Sequence, residues 1–291
     1  MNFLIGSNRR MSPSGSTGVD DMKRITTLAA AAVVMVWTGS AEAAVVKVTI
    51  QNLSAAGGLN LSPLWVAFGN GSFDVFNPGA AATPGLEPLA EAGDPSGLAA
   101  RLAATDPGAV TGLIPVVGPS GFAQIEPGES GSIVLNIDPT ANRFFNFAAM
   151  VVPSNDAFTS LDQALALFDS AGHFLGDKTL TLTGNDVWDA GTEVNGLFGS
   201  AFIVGQNAAL GDSEAGVVAL HPGFDVFDGQ SEPNGQTFHA ADADVGARGG
   251  FQFARITISE VPEPASWILM LGAIGLGGWA WRRRHTNLES F

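Results

Sequence analysis

The chemistry this sequence offers most readily is oxygen ligation. Two loops stand out: Pro153-Ser154-Asn155-Asp156, and Trp188-Asp189-Ala190-Gly191-Thr192-Glu193. A calcium ion takes about six to eight oxygens from carboxylates, amides, backbone carbonyls and water. The two loops present Asp156, Asp189 and Glu193, with Asn155 as a weaker candidate. Spacing alone leaves a plainer reading open, in which each aspartate closes a turn through an Asx hydrogen bond. Asp242-Ala243-Asp244 has the opening of an EF-hand loop but lacks its third oxygen residue, its glycine and its closing glutamate. It reads as a solvated acidic loop, and so do Asp225 and Asp228, a second weak cation candidate.

Nucleophilic and imidazole chemistry find little material. Cysteine and tyrosine are absent and histidine occurs four times. Thiol catalysis, disulfides, Fe–S clusters and Cys-based zinc sites are therefore excluded. Gly211-Asp212-Ser213 and His221-Pro222-Gly223 invite a serine-enzyme reading. They lack the Gly-x-Ser-x-Gly pattern and its strand-turn-helix setting, so they read as loops. His173 has no second histidine at zinc spacing. Two carboxylates suffice for glycoside hydrolysis, and an acidic chain always contains some pair.

Those carboxylates sit in a chain of 291 residues with 13 Lys+Arg against 28 Asp+Glu, a formal charge of −15. Nucleic acid is excluded as a partner, because it needs a basic face. The acidity is concentrated between Ala44 and Glu260, which hold six basic and 23 acidic residues. A span of 217 residues can bury its own core without disulfides.

Both ends read as addresses. Residues 1–21 are polar and Gly/Ser-rich, and are read as a start-site artefact or disordered segment. From Met22, Lys23-Arg24, the apolar run Ile25–Trp37 and Ala41-Glu42-Ala43 follow in the order of a signal peptide over 22–43, with cleavage at Ala41/Ala43. At the other end stand Pro262-Glu263-Pro264, the apolar Trp267–Trp281, and Arg282-Arg283-Arg284. As a helix this run rises roughly 22 Å, short of the roughly 30 Å hydrocarbon core. The arginines would hold residues 285–291 in the cytoplasm. The tail over 261–284 resembles the PEP-CTERM sorting signal. That resemblance implies cleavage by an exosortase near the Pro-Glu-Pro, transient insertion in the inner membrane through the short helix, and release to the cell surface or matrix.

The middle reads as all-β. Val45–Leu53 alternates Val46, Val48 and Ile50 against Lys47, Thr49 and Gln51, as a half-buried strand does. Asn70-Gly71 suggests a hairpin over Trp65–Phe76. Asn77–Pro88 reads as loop, and Asp94-Pro95-Ser96 opens one helix through Leu98–Ala104. Ser132–Ile137 alternates, while Phe144–Val152 is nearly all apolar, as a strand buried on both faces is. Strands are also expected at Ala164–Phe168, His173–Leu175 and Leu180–Thr183, and less clearly at Phe198–Val204 and Val217–Leu220. Phe251–Ser259 shifts phase, which predicts a bulge at Ala254-Arg255. Eight or more short strands with Gly/Pro turns point to a sandwich or barrel.

Taken in order, several segments resemble the spondin N-terminal domain: VTIQNL from Val48, FGNGSFDVF from Phe68, LAEAGDPSGL from Leu89, IEPGESGSIVL from Ile125, AMVVPSNDAF from Ala149, VWDAGTEVN from Val187, His221-Pro222-Gly223 and Ala254–Ser259. The resemblance spans most of 44–260. It implies a C2-like antiparallel β-sandwich of about eight strands with one or two short helices, an extracellular setting, and calcium held by loops at one end. On that resemblance Asp156, Asp189 and Glu193 are the expected ligands. The absence of cysteine departs from the animal members, so their matrix or heparin binding is not carried over.

Together these features favour an exported, exosortase-sorted, non-enzymatic surface or biofilm-matrix protein whose partner is an extracellular polysaccharide or matrix protein. A secreted carbohydrate-active protein, hydrolase or lectin-like, is the alternative. Convergence of the three acidic side chains on one point separates the two.

Overall fold

The computed structural model describes residues 43–117 and 120–262. Residues 1–42, with most of the expected signal peptide, and the tail from Glu263 onward, with Pro264 and Arg282–Arg284, lie outside the described residues.

Alternation in the sequence becomes two antiparallel sheets. The first runs in the order β5 (Ser130–Ile137), β1 (Ala44–Asn52), β12 (Gln252–Glu260), β9 (Lys178–Thr183). Val48 of β1 lies between Ile258 of β12 and Ile133 of β5, so apolar residues share one face across the sheet. The second runs β11 (Ala219–Leu220), β10 (Trp188–Asp189), β7 (Ala157–Ser160), β6 (Phe144–Val152), β3 (Leu64–Gly69), β4 (Val110–Ile114). Two short strands, β2 (Asn60–Leu61) and β8 (Leu165–Ala166), also pair with β6. The architecture is an all-β sandwich, as the strand pattern predicts.

The main core fills the space between the sheets. Val46, Val48, Ile50, Ile256 and Ile258 meet Phe145, Phe147, Ala149 and Val151 of β6 there. Strand β6 is buried on both faces: Ala148 points the other way, into a second cluster with Trp65, Phe158 and the helices α1 (Glu87–Ala92) and α2 (Ser96–Thr105). Each fully buried Leu, Ile, Val or Phe contributes about 1.5–3 kcal/mol of transfer free energy. Removing one methylene at the centre of this core, Ile256→Val, is expected to cost about 1 kcal/mol, measured as a drop in urea midpoint at unchanged slope.

Several local expectations are corrected. The hairpin over Trp65–Phe76 does not form, because both edges of β3 are occupied by β4 and β6. The chain turns at Asn70, whose side chain accepts from the Ser72 N–H at 2.8 Å, and then buries Phe73, Val75 and Phe76 beneath the helices. The loop expected through Pro88 runs into α1, with proline in its first turn and Gly93 at φ 70° closing it by donating to the Leu89 carbonyl. The bulge falls between Gln252 and Ala254, one residue earlier than expected, which lets both Phe253 and Ala254 be buried. Phe198–Val204 is not a strand, and only Ala201 bridges, to Ser154.

Candidate functional site

The turn between β6 and β7 carries Asn155 and Asp156. Pairing of β7 with β10 sets Ala157 opposite Asp189, and the Ala190 N–H donates to the Asp156 carbonyl at 3.1 Å. The 189–193 loop therefore folds directly over Asp156, which is fully buried. Its Oδ2 accepts from the Thr192 N–H at 2.7 Å, the Glu193 N–H at 3.1 Å and the Thr192 hydroxyl at 3.2 Å. Its Oδ1 is buried with no partner. Burial, then the neighbouring Asp189 carboxylate, pushes the Asp156 carboxyl up to about 6.

Glu193 is buried beside it, and its Oε2 also lacks a partner. Its carboxylate packs on Gly211, where a Cβ would meet the Glu193 Oε1 at 2.0 Å. Burial, followed by the Glu91 and Asp156 charges, pushes this carboxyl up to about 7. Glu91, from the end of α1, is itself raised by burial. Asp189 is satisfied differently. Its Oδ1 accepts from the Gly191 N–H at 2.8 Å in an Asx turn, and its Oδ2 accepts from the Asn195 amide.

Asp156, Asp189 and Glu193 are thus brought into one buried neighbourhood, with Asn155 at its side. Asn155 spends its amide on the backbone instead, donating to the Phe198 carbonyl at 3.0 Å and accepting from the Gly196 N–H at 3.0 Å. Both Asp189 oxygens and the Asp156 Oδ2 already face protein donors. Among the described residues, no group of three His, Asp or Glu stands ready to hold a metal ion. Among the same residues the one ion pair is His173 with Asp169, so the buried carboxylates have no Lys or Arg within ion-pair distance. The fit to a cation rests on the two orphaned oxygens: a buried carboxylate without partners is costly unless a proton or a cation meets it.

Asn195 was not singled out by the sequence, and His221 was read there as a loop histidine. Asn195 links Asp189 to His221, accepting from the imidazole Nε2 at 3.2 Å while donating to Asp189. The His221 Nδ1 accepts from the Gly223 N–H at 3.2 Å. Both ring nitrogens are therefore used as a neutral imidazole uses them, and the ring stacks on Phe224 with centroids 4.2 Å apart. Burial, with Arg248 nearby, pushes His221 down from 6.5 to about 3. This histidine's contribution to stability is full above pH 6.5 and is lost as pH falls toward 3, at up to about 1.4 kcal/mol per pH unit. His221→Gln removes that titration. The stability gap between wild type and His221→Gln is expected to shrink from pH 7.5 to pH 5.5, read from urea midpoints.

The serine-enzyme fragment does not assemble: Ser213 bridges to Glu193, and the His221 ring bonds Asn195 and Gly223. The two tryptophans of the domain pack internally, Trp65 edge-on to Phe73 and Trp188 against Phe76. Asp225, Asp228 and Asp244 line one cavity of about 700 Å³, together with Phe224 and Val245. Among the described residues no helix is long and apolar enough to cross a membrane.

No curated protein matches this chain. Residues 260–284, which begin at the last residue of β12, match the family model for the PEP-CTERM protein-sorting motif. The chain therefore ends its sandwich on the signal by which an exosortase sorts exported proteins that are transiently anchored in the membrane.

Proposed function

We propose that this protein is a non-enzymatic, calcium-binding β-sandwich of the spondin type, delivered to the cell surface or biofilm matrix, where it holds a polysaccharide or another matrix protein. Delivery is supported by the sorting motif immediately after β12. The observation that carries the calcium reading is the pair of orphaned buried oxygens, Asp156 Oδ1 and Glu193 Oε2, beside Asp189 and away from any Lys or Arg ion pair. Asp156, Glu193 and Asp189 would hold the ion, with Asn195 releasing one Asp189 oxygen to it. Bound calcium would supply positive charge to loops that otherwise repel one another. Its role is to lock the 153–156 and 189–195 loops at one end of the sandwich, and the partner binds the surface so fixed.

Calcium titration of the whole chain in mild detergent tests this. A ligand that binds only the folded state raises stability by RT ln(1 + [L]/Kd). Asp189→Ala is expected to lose one bound ion and part of the calcium-induced rise in Tm. An unchanged calcium response in Asp189→Ala would overturn the assignment of the ligands.

A further inference from the structure

Asn-Gly steps are chemically labile as well as turn-prone. The glycine nitrogen can attack the asparagine side-chain carbonyl carbon, and glycine, having no Cβ, does not crowd that approach. The chain has three such steps, Asn70-Gly71, Asn195-Gly196 and Asn234-Gly235. The fold treats them differently.

Two of the three glycine nitrogens are occupied. The Gly196 N–H donates to the Asn155 Oδ1 at 3.0 Å. The Gly235 N–H donates to the Glu232 carbonyl, also at 3.0 Å. Each bond ties down the hydrogen that the nitrogen must lose before it attacks. The Asn195 amide is held at both of its atoms as well, Nδ2 donating to Asp189 and Oδ1 accepting from His221.

Asn70-Gly71 stands apart. Asn70, Gly71 and Ser72 are all exposed, and no protein acceptor among the described residues meets the Gly71 N–H. The Asn70 Oδ1 accepts from the Ser72 N–H at 2.8 Å, a bond that folds the side-chain carbonyl back across the Gly71 peptide. Negative charge collects on that oxygen when the carbonyl carbon is attacked, so the Ser72 N–H is placed as an oxyanion donor is. Asn234 makes the same kind of turn, its Oδ1 accepting from the Gln236 N–H at 3.0 Å. The free glycine nitrogen is therefore what separates Asn70 from Asn234.

We propose that Asn70-Gly71 is a site of spontaneous deamidation, the one Asn-Gly step that the folded domain leaves reactive. The Gly71 nitrogen gives its proton to solvent hydroxide and bonds to the Asn70 Cγ. The Cγ–Nδ2 bond then breaks, and ammonia leaves with a proton from water. A second water opens the resulting cyclic imide at either carbonyl, giving aspartate or isoaspartate at position 70. The reaction needs water alone and is independent of calcium. Its product disturbs the fold. The Asn70 N–H donates to the Oδ2 of the buried Asp106 at 2.7 Å, so the new carboxylate forms in the residue that holds an existing one, and the two charges repel. Isoaspartate also lengthens the main chain by one carbon just before Phe73, Val75 and Phe76, which fill the second core.

Ageing the whole chain in mild detergent at mildly alkaline pH, followed by peptide mass mapping, tests the proposal. The Asn70 peptide is expected to gain the mass of the acid about tenfold or more faster than the Asn195 and Asn234 peptides, whose glycine nitrogens must first break a hydrogen bond. In urea the three rates should converge. Equal rates at the three steps in the folded chain, or an Asn70 that keeps its amide while the unfolded chain loses it, would overturn the proposal. Asn70→Ser keeps a turn acceptor but has no amide to lose. The Tm of wild type is expected to fall on ageing and that of Asn70→Ser to hold. An equal fall in Asn70→Ser would place the damage elsewhere and overturn the effect on the fold.

Discussion

Replacing Asp156 by asparagine is expected to leave the calcium-free protein at least as stable as wild type, to remove the calcium ion proposed to bind there and to shrink the calcium-induced rise in Tm. The reason is the division of labour between the two carboxylate oxygens. Oδ2 accepts from Thr192 and Glu193, and an asparagine oxygen can do the same. Oδ1 has no partner and lies in a position where burial, and then the Asp189 charge, pushes the carboxyl up to about 6. The amide removes that repulsion and keeps the shape. It also removes one of the charged ligands a calcium ion needs. With calcium a hundredfold above Kd, one site contributes about 2.7 kcal/mol, and that contribution is what the variant forfeits. Asp156→Ala behaves differently, because it orphans the buried Thr192 and Glu193 N–H groups and costs about 2–4 kcal/mol even without calcium. Melting both variants in chelator and in millimolar calcium checks the pair of outcomes. A full calcium response in Asp156→Asn would remove this residue from the site.

Gly191→Ala is expected to destabilise the protein by about 3 kcal/mol or more and to abolish calcium binding at the Asp156 neighbourhood. Gly191 sits at φ 68°, where an L side chain costs about 1–2 kcal/mol. A Cβ there would also lie 2.6 Å from the Val217 nitrogen and 2.8 Å from the Gly216 carbonyl carbon. Both contacts are backbone, which cannot swing aside as a side chain can, and overpacking adds about 1–3 kcal/mol. The shift propagates to function because Gly191 donates to Asp189 and precedes the two N–H groups that hold Asp156. Gly79→Ala separates the two causes: its φ is 82°, yet nothing lies within 4 Å of an added Cβ. It should show only the backbone strain of about 1–2 kcal/mol. Urea denaturation of both variants gives the comparison, and equal losses at the two positions would exclude the close approach as a cause.

Local pattern made the strands legible. The alternation of Val46, Val48 and Ile50 marked β1, and the unbroken apolar run Phe144–Val152 marked a strand covered on both faces, because burial period follows side-chain direction along the backbone. The Pro-Glu-Pro, apolar and arginine segments made the sorting tail legible for a related reason: such a signal is read as a linear string. The closeness of Asp156 to the 189–193 loop was suggested by resemblance, and only the β7–β10 pairing placed the loop over the aspartate.

What the chain alone left open depends on partners distant in sequence. Asn70-Gly71 suits a hairpin, but with both edges of β3 taken the following residues packed under helices instead. Asn195 and His221 became a linked pair only when β10, β11 and the loops between them folded around Asp189. Asn60 looked like an ordinary polar residue until folding buried it and set its amide against the Glu232 carboxylate. The sequence by itself marked the main strands, the acidity and the address, all of which are local or additive properties. Tertiary structure decided which carboxylates lose water and counter-charge together, because burial is a property of the assembled sheets and not of any segment.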